Sequence, residues 1–228
     1  MDWPRICTAV IPCFNEAAVI GTVVSGVRQH LPEVLVVDDG SADRTAALAR
    51  SAGATVITHP ANQGKGAAVR SGLDEASRRG FMWAMLLDGD GQHDPDDIPC
   101  LLLAAGAGDV DLVIGNRLEN PAALPPLRRW VNRWMSRRIS GRVGFHCPDS
   151  QCGFRLVRLA ALGVQELQRN RFETESEMLV AMVAGGSRVR FAPVRCLPAR
   201  RPSHIRPLRD GWRWFRWWWE GSGGQPSD

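Results

Sequence analysis

Asp88 and Asp90 stand one residue apart, with the amide of Gln92 two residues further on, where the short apolar run Trp83 to Leu87 ends. Side chains alternate sides along an extended chain, so the two carboxylates project together. They do so at the carboxyl end of a strand, the edge where open α/β sheets hold ligands. Two carboxylates and an amide oxygen are hard donors that suit Mg²⁺ or Mn²⁺, ions that keep several waters and take their remaining ligands from a substrate's phosphates. Asp94-Pro95 follows at once and is a good helix start, so an acidic turn capping the next helix is the competing reading. Lys65, the only lysine of the chain, lies between Gly64 and Gly66 at the mouth of a helical stretch. There a positive charge and free N–H groups can meet a phosphate. Asp38 and Asp39 end another apolar run, and Asp39 is placed to accept hydrogen bonds from a base or ribose. Asp38-Asp39-Gly-Ser is also a good turn and Gly-Lys-Gly an ordinary loop. Neither plain reading accounts for these sites sharing one rim.

The elements that must position them alternate. Ile6 to Ile11, Val34 to Val37, Ala54 to Thr58, Met82 to Leu87 and Asp111 to Gly115 read as buried strands. Helical stretches follow the first four: to about His30, Ala42 to Ala52, Ala67 to Arg79, and Asp96 to Ala105. That rhythm predicts an α/β fold with a mostly parallel central sheet covered by helices on both faces. Neither the G-x₄-G-K-[S/T] spacing nor a G-x-G-x-x-G turn after the first strand is present, which excludes a Walker-type ATPase and a dinucleotide fingerprint.

At 228 residues, with 44% hydrophobic and 23% charged residues, the chain has the make-up of a globular domain. Its net charge of +4 is carried almost wholly by arginine, and no nucleic-acid partner is expected. Six cysteines show no C-x-x-C pair and no zinc-type spacing, so reduced thiols in a cytoplasmic protein are expected. No signal peptide is visible, and no run approaches the roughly 20 apolar residues that span a bilayer. The expected location is therefore cytoplasmic, peripheral on the inner face of the membrane.

Four ordered motifs carry a resemblance: Val10-Ile-Pro12-Cys-Phe14-Asn15-Glu16, Asp38-Asp39-Gly-Ser41-x-Asp43-x-Thr45, Asn62-x-Gly64-Lys65-Gly66, and Leu87-Asp88-x-Asp90-x-Gln92-x-Asp94-Pro95. They resemble family 2 glycosyltransferases, and more narrowly the dolichyl- and polyprenyl-phosphate sugar synthases. Gly115-Asn116-Arg117 and Asp149-Ser-Gln-Cys-Gly-Phe154-Arg155 extend the match to about residue 157. The resemblance implies a GT-A fold binding a nucleoside-diphosphate sugar, UDP- or GDP-linked. Pro12, Phe14, Asn15, Glu16, Asp38, Asp39, Lys65, Asp88 and Gly89 would hold the donor, and Asp88, Asp90 and Gln92 the metal on its diphosphate. Phe14, where many relatives carry tyrosine, keeps the ring and loses the hydroxyl. Arg117, Arg129, Arg200 and Arg201 would bind the phosphate of a polyprenyl phosphate or other lipid acceptor. The implied reaction is inverting transfer, with Asp90, Asp149 and Arg117 as its central residues. An anionic acceptor needs no general base, whereas a hydroxyl acceptor would need one, and Asp149 is then the candidate. His204 fits orientation or phosphate contact.

Leu127 to Ile139 has apolar residues at 127, 130, 131, 134, 135 and 139, a helical spacing, with Arg128, Arg129, Arg133 and Arg137 on the remaining surface. Contact with an anionic membrane surface and packing of the stripe on the core are both open. Glu173, Glu175 and Glu177 read as acid/base groups or as an acidic first helical turn; the turn is preferred. Five of nine tryptophans fall between Trp212 and Trp219, which fits the headgroup level of a bilayer better than burial against a partner chain. The expected organisation is one catalytic domain over 1–205 (donor half about 1–117, acceptor half about 118–205), a Trp/Arg-rich segment over 206–220, and a flexible tail over 221–228.

Overall fold

The computed structural model describes residues 1–119, 125–162 and 174–198. The expectations for Glu173, Arg200, Arg201, His204, the Trp/Arg-rich segment and the tail lie outside the described residues.

A single turn, α1 (Trp3–Ile6), leads into β1 (Cys7–Cys13), α2 (Ile20–Arg28), β2 (Val34–Asp38), α3 (Thr45–Ser51), β3 (Thr55–Thr58), α4 (Lys65–Arg78) and β4 (Trp83–Leu86). Then come α5 (Ile98–Gly106), β5 (Leu112–Asn116), α6 (Pro126–Val143), β6 (Arg155–Arg158), α7 (Thr174–Ala184) and β7 (Val189–Pro193). The seven strands form one sheet in the order β3-β2-β1-β4-β6-β5-β7. All residues of β1, β2 and β4 are buried, as expected for parallel strands with both faces covered. Edge strand β3 has no buried residue.

β6 runs antiparallel to both its neighbours, β4 and β5. The sequence did not announce it. Its four residues carry arginine at both ends and only Leu156 and Val157 between, too short for an apolar run or an alternation to register. The reversal matters for function. Arg155 at the start of β6 pairs with Leu86 at the end of β4 and with Ile114 in β5. The segment 149–153 is thereby delivered to the edge where β1, β2, β4 and β5 end.

Two packing details set that edge. A Cβ on Gly72 of α4 would lie 2.3 Å from Val10 Cγ1 and 3.2 Å from Val37 Cγ2. Only glycine lets α4 lie this close on β1 and β2, and α4 begins at Lys65. Downstream, the Asp94 carboxylate accepts the Asp96 N–H at 3.1 Å and caps the 3-10 turn Pro95–Asp97 ahead of α5. Asp94 is thus a cap, while Asp88 and Asp90 have other partners. All six cysteines are free thiols. No described helix is long and apolar enough to cross a membrane.

Candidate active site

The loops after β1 and β2 are knitted together by the second sequence motif. Asn15, a non-glycine residue with φ +58°, donates its N–H to Ser41 Oγ at 2.8 Å and accepts the Ala42 N–H on its side-chain oxygen at 2.9 Å. Ser41 donates both its hydroxyl and its N–H to Asp38. Glu16 donates its N–H to Thr45 Oγ1 at 2.8 Å, and Thr45 in turn bonds Asp43. Asp39 is almost wholly buried. Its Oδ1 meets His59 Nδ1 at 2.7 Å and the Gln63 N–H at 2.9 Å, and its Oδ2 accepts the Gly64 N–H at 2.8 Å. In this arrangement Asp39 fixes the turn that presents Lys65. Pro12 is buried in β1, its carbonyl oxygen accepting the Gly89 N–H at 3.3 Å, and Phe14 is half-buried.

Lys65 joins two elements that are remote in sequence. Its Nζ lies 2.6 Å from Asp88 Oδ1 and 2.6 Å from Glu175 Oε1. Burial acts to lower the Lys65 pKa, but the two carboxylates together outweigh it and hold the ammonium above its ordinary value. Burial likewise acts to raise the Asp88 pKa, and the charges of Lys65 and its neighbours reverse the shift, so Asp88 sits well below the usual carboxylate range. Glu175 does lie in the acidic first turn of α7, yet its side chain reaches into the site. Sequence reasoning passed over that role because nothing local links residue 175 to residue 65.

Asp90 accepts the Gln92 N–H at 2.9 Å and Gln92 Nε2 at 2.8 Å. The Gln92 amide oxygen takes Arg128 Nη1 at 3.4 Å. Arg128 of α6, rather than the neighbouring Arg129, is therefore the arginine that reaches this loop. His93, buried and stacked on Phe154 with ring centroids 5.2 Å apart, accepts the Asp88 N–H at 3.1 Å; its pKa is lowered chiefly by burial. Among the described residues no group of three or more His, Cys, Asp or Glu side chains converges on a point. A divalent ion would instead draw on two carboxylates and an amide. The donor chemistry of Asp88, Asp90 and Gln92 fits Mg²⁺ or Mn²⁺, with the amide of Gln92 rotating to bring its oxygen round. The backbone also fits, since a Cβ on Gly153 would stand 3.1 and 3.2 Å from the Asp88 oxygens and 3.2 Å from Lys65 Nζ.

Asp149 and Arg117 form a buried pair beneath the rim. Arg117 donates Nε to Oδ2 at 2.8 Å and Nη2 to Oδ1 at 3.0 Å, and its N–H reaches Oδ2 at 3.3 Å. Side-chain exposure is 7% for the arginine and 0% for the carboxylate. Burial acts to raise the Asp149 pKa, but Arg117 outweighs it and the net shift is downward. Close by, buried Arg155 spends its guanidinium on backbone: Nε on Cys152 O at 2.8 Å, Nη2 on Ser150 O at 2.8 Å and Nη1 on Glu175 O at 2.6 Å. Arg155 thereby clamps the Asp149–Gly153 loop to the start of α7.

The apolar stripe of α6 divides between the two readings the sequence left open. Leu127, Trp130 and Val131 are exposed, at 71%, 65% and 36%, while Trp134, Met135 and Ile139 pack on the core. The inward face also buries Asn132 and Ser136. Ser136 Oγ accepts the Ser150 N–H and Ser140 Oγ the Cys147 N–H, both at 2.9 Å.

A seven-stranded, mostly parallel sheet with one reversed strand and an acidic rim defines a GT-A fold. The glycosyl transferase family 2 profile matches residues 8–163, and the chain belongs to that family of glycosyltransferases. Over 216 residues it is 28% identical to the UDP-N-acetylglucosamine–dolichyl-phosphate N-acetylglucosaminyltransferase of Methanococcus voltae, covering 85% of this chain and 86% of that protein. Over 167 residues it is 36% identical to the polyprenol monophosphomannose synthase of Mycolicibacterium smegmatis, covering 67% of this chain and 62% of that one. In fold it is similar to glucosyl-3-phosphoglycerate synthase of Mycobacterium tuberculosis, solved with Mg²⁺ and UDP: TM-score 0.72 and 21% identity, over 98% of this chain and 81% of that chain.

Proposed function

We propose that this glycosyltransferase moves a sugar, with inversion, from a nucleoside-diphosphate sugar to a polyprenyl phosphate at a membrane surface. The commitment of Asp149 to Arg117 carries the choice of acceptor. Both oxygens of that fully buried carboxylate are held by one guanidinium, which suits a positioning group and not a base that must take a proton from a hydroxyl. A phosphate acceptor is already anionic and needs none. The relatives named for dolichyl-phosphate and polyprenol substrates support the same acceptor class.

Pro12, Phe14, Asn15, Glu16 and Asp38 shape the nucleotide side, while Asp39 locks the turn at Gly64 so that Lys65 stays in the cleft. When Mg²⁺ or Mn²⁺ is bound, Asp88, Asp90 and Gln92 would hold it, and it supplies neutralisation of charge on the leaving diphosphate. Lys65 adds a fixed positive charge on the same side. The acceptor phosphate attacks the anomeric carbon from the opposite face, oriented by Arg117 and by Arg128, the arginine of α6 that reaches the acidic loop, with Arg200 and Arg201. Leu197 donates its N–H to Gln92 O at 2.9 Å, which holds that residue beside the acidic loop. Exposed Leu127, Trp130 and Val131, flanked by arginines, suit an anionic lipid surface.

The test is product analysis with purified protein, Mg²⁺ or Mn²⁺, a panel of UDP- and GDP-sugars, and a short-chain polyprenyl phosphate. Release of nucleoside diphosphate that requires the lipid phosphate and falls about 10²–10³-fold in Asp90→Ala is the expected result. Release without any lipid product would overturn the acceptor assignment.

A further inference from the structure

The two carboxylates on Lys65 are not equivalent. Asp88 belongs to the acidic rim; Glu175 arrives from α7, 110 residues further along the chain. Glu175 Oε1 takes the Lys65 ammonium, whereas Oε2 is buried and finds no hydrogen-bond donor among the described residues. A buried carboxylate oxygen without a donor is unfavourable, and the few unsatisfied groups in native proteins often mark a functional role. Glu175 is also held firmly in place: Arg155 grips its carbonyl oxygen at 2.6 Å while bonding Cys152 and Ser150 on the facing loop. Pro12, Lys65, Asp88, Gly153 and Glu175 line one cleft. Glu175 therefore faces the space next to the carboxylates and the ammonium assigned to the donor's diphosphate.

We propose that Glu175 is a specificity-determining residue for the transferred sugar, with Oε2 accepting a hydrogen bond from one sugar hydroxyl while Oε1 keeps Lys65 turned to the diphosphate. The inference rests on the glycosyltransferase reading above and adds a sugar contact to it. A carboxylate that holds an ammonium accepts and does not donate, so the group it selects is an O–H. Fluorine in place of that hydroxyl keeps the size, cannot donate, and leaves the oxygen unpaired. Sites built to bond a hydroxyl discriminate steeply against analogues that lack it.

Titration calorimetry on the full chain with Mn²⁺ tests this. UDP, GDP, UDP-glucose, UDP-N-acetylglucosamine and GDP-mannose first identify the donor that binds. Monodeoxyfluoro analogues of that donor are then titrated into wild type, Glu175→Gln and Glu175→Asp. One fluorinated position should weaken binding to wild type at least tenfold. That penalty should shrink below threefold in Glu175→Gln, whose amide can face fluorine with an N–H; any weakening of the nucleoside diphosphate that comes through Lys65 is shared by every donor and cancels when each analogue is compared with the unsubstituted donor in the same protein. Glu175→Asp, which keeps the charge on Lys65 and shortens the reach, should lose the same selectivity even where the glutamine variant folds poorly. A penalty that persists unchanged in the variants overturns the inference, as does the absence of any sensitive position. Equal weakening of nucleoside diphosphate and nucleotide sugar also overturns it, leaving Glu175 as a holder of Lys65 only. Wild type that binds none of the nucleotides removes the donor reading itself, and this inference with it.

Discussion

Arg117 grips Asp149 through two hydrogen bonds of 2.8 and 3.0 Å, joining the residue after β5 to the loop before β6. Asp149→Asn leaves the guanidinium buried without its counter-charge, and breaking one side of such a pair costs about 3–5 kcal/mol. Urea unfolding of the purified variant should show a loss of that order, with activity reduced in proportion to the misplacement of Arg117. A variant as stable as wild type yet inactive would instead mark Asp149 as the proton acceptor for a hydroxyl.

Acid should find this pair and that of Asp88 with Lys65. Burial opposes ionisation of Asp88 and Asp149, yet Lys65 and Arg117 overcome it, so both carboxyls titrate below the ordinary range. A folded-state pKa below the unfolded one contributes stability that is complete above the unfolded value, near 3.9 for Asp. That stability is lost as pH falls through the folded-state values. Thermal midpoints measured from pH 8 down to pH 3 should therefore show no contribution to the slope from these groups until about pH 4, then a decline. Asp149→Asn should decline less steeply there.

Asp90 is only partly buried and bonds only Gln92 among its described partners, so its replacement should spare the fold. Asp90→Ala is expected to lower turnover about 10²–10³-fold, the scale of losing one preorganised electrostatic contact. Mn²⁺ titration followed by electron paramagnetic resonance, with UDP or GDP present, should show weaker binding while the circular dichroism spectrum stays unchanged. Wild-type Mn²⁺ affinity in this variant would remove Asp90 from the ligand set.

The outward half of the α6 stripe gives a surface prediction. Flotation with vesicles containing phosphatidylglycerol should recover the wild-type protein, and less so in high salt. Trp130→Glu should release it, since fully burying one large apolar side chain is worth about 1.5–3 kcal/mol. Its 65% exposure means that the change should leave the melting temperature near that of wild type. Undiminished flotation would transfer the anchoring role away from α6.

Much of the rim built by β1, β2 and β4 was legible because its signals are local. The apolar runs of β1, β2 and β4 are buried along their whole length, and each stops at the polar cluster that the sequence marks. Other features depended on distance or on an unusual interior. β6 is too short to show a pattern, so the strand that brings Asp149 to the rim could be read only as a motif. α6 hides polar Ser136 because its inward face ties down the loop at Ser150, while Trp130 faces outward against the simple rule of apolar burial. The partners of Lys65 and Arg128 lie on other elements, and no spacing rule reports such a meeting.

Lys65 is the sole side-chain amine of the chain, and it is lodged between Asp88 and Glu175. Reagents that acylate amines thus have the amino terminus and this one nitrogen to attack, while the arginine-rich surface stays untouched. The reactive form is the neutral amine, which the two carboxylates keep scarce. The rate of acylation at residue 65 becomes a built-in gauge of how open the cleft is, readable by mass on a single peptide.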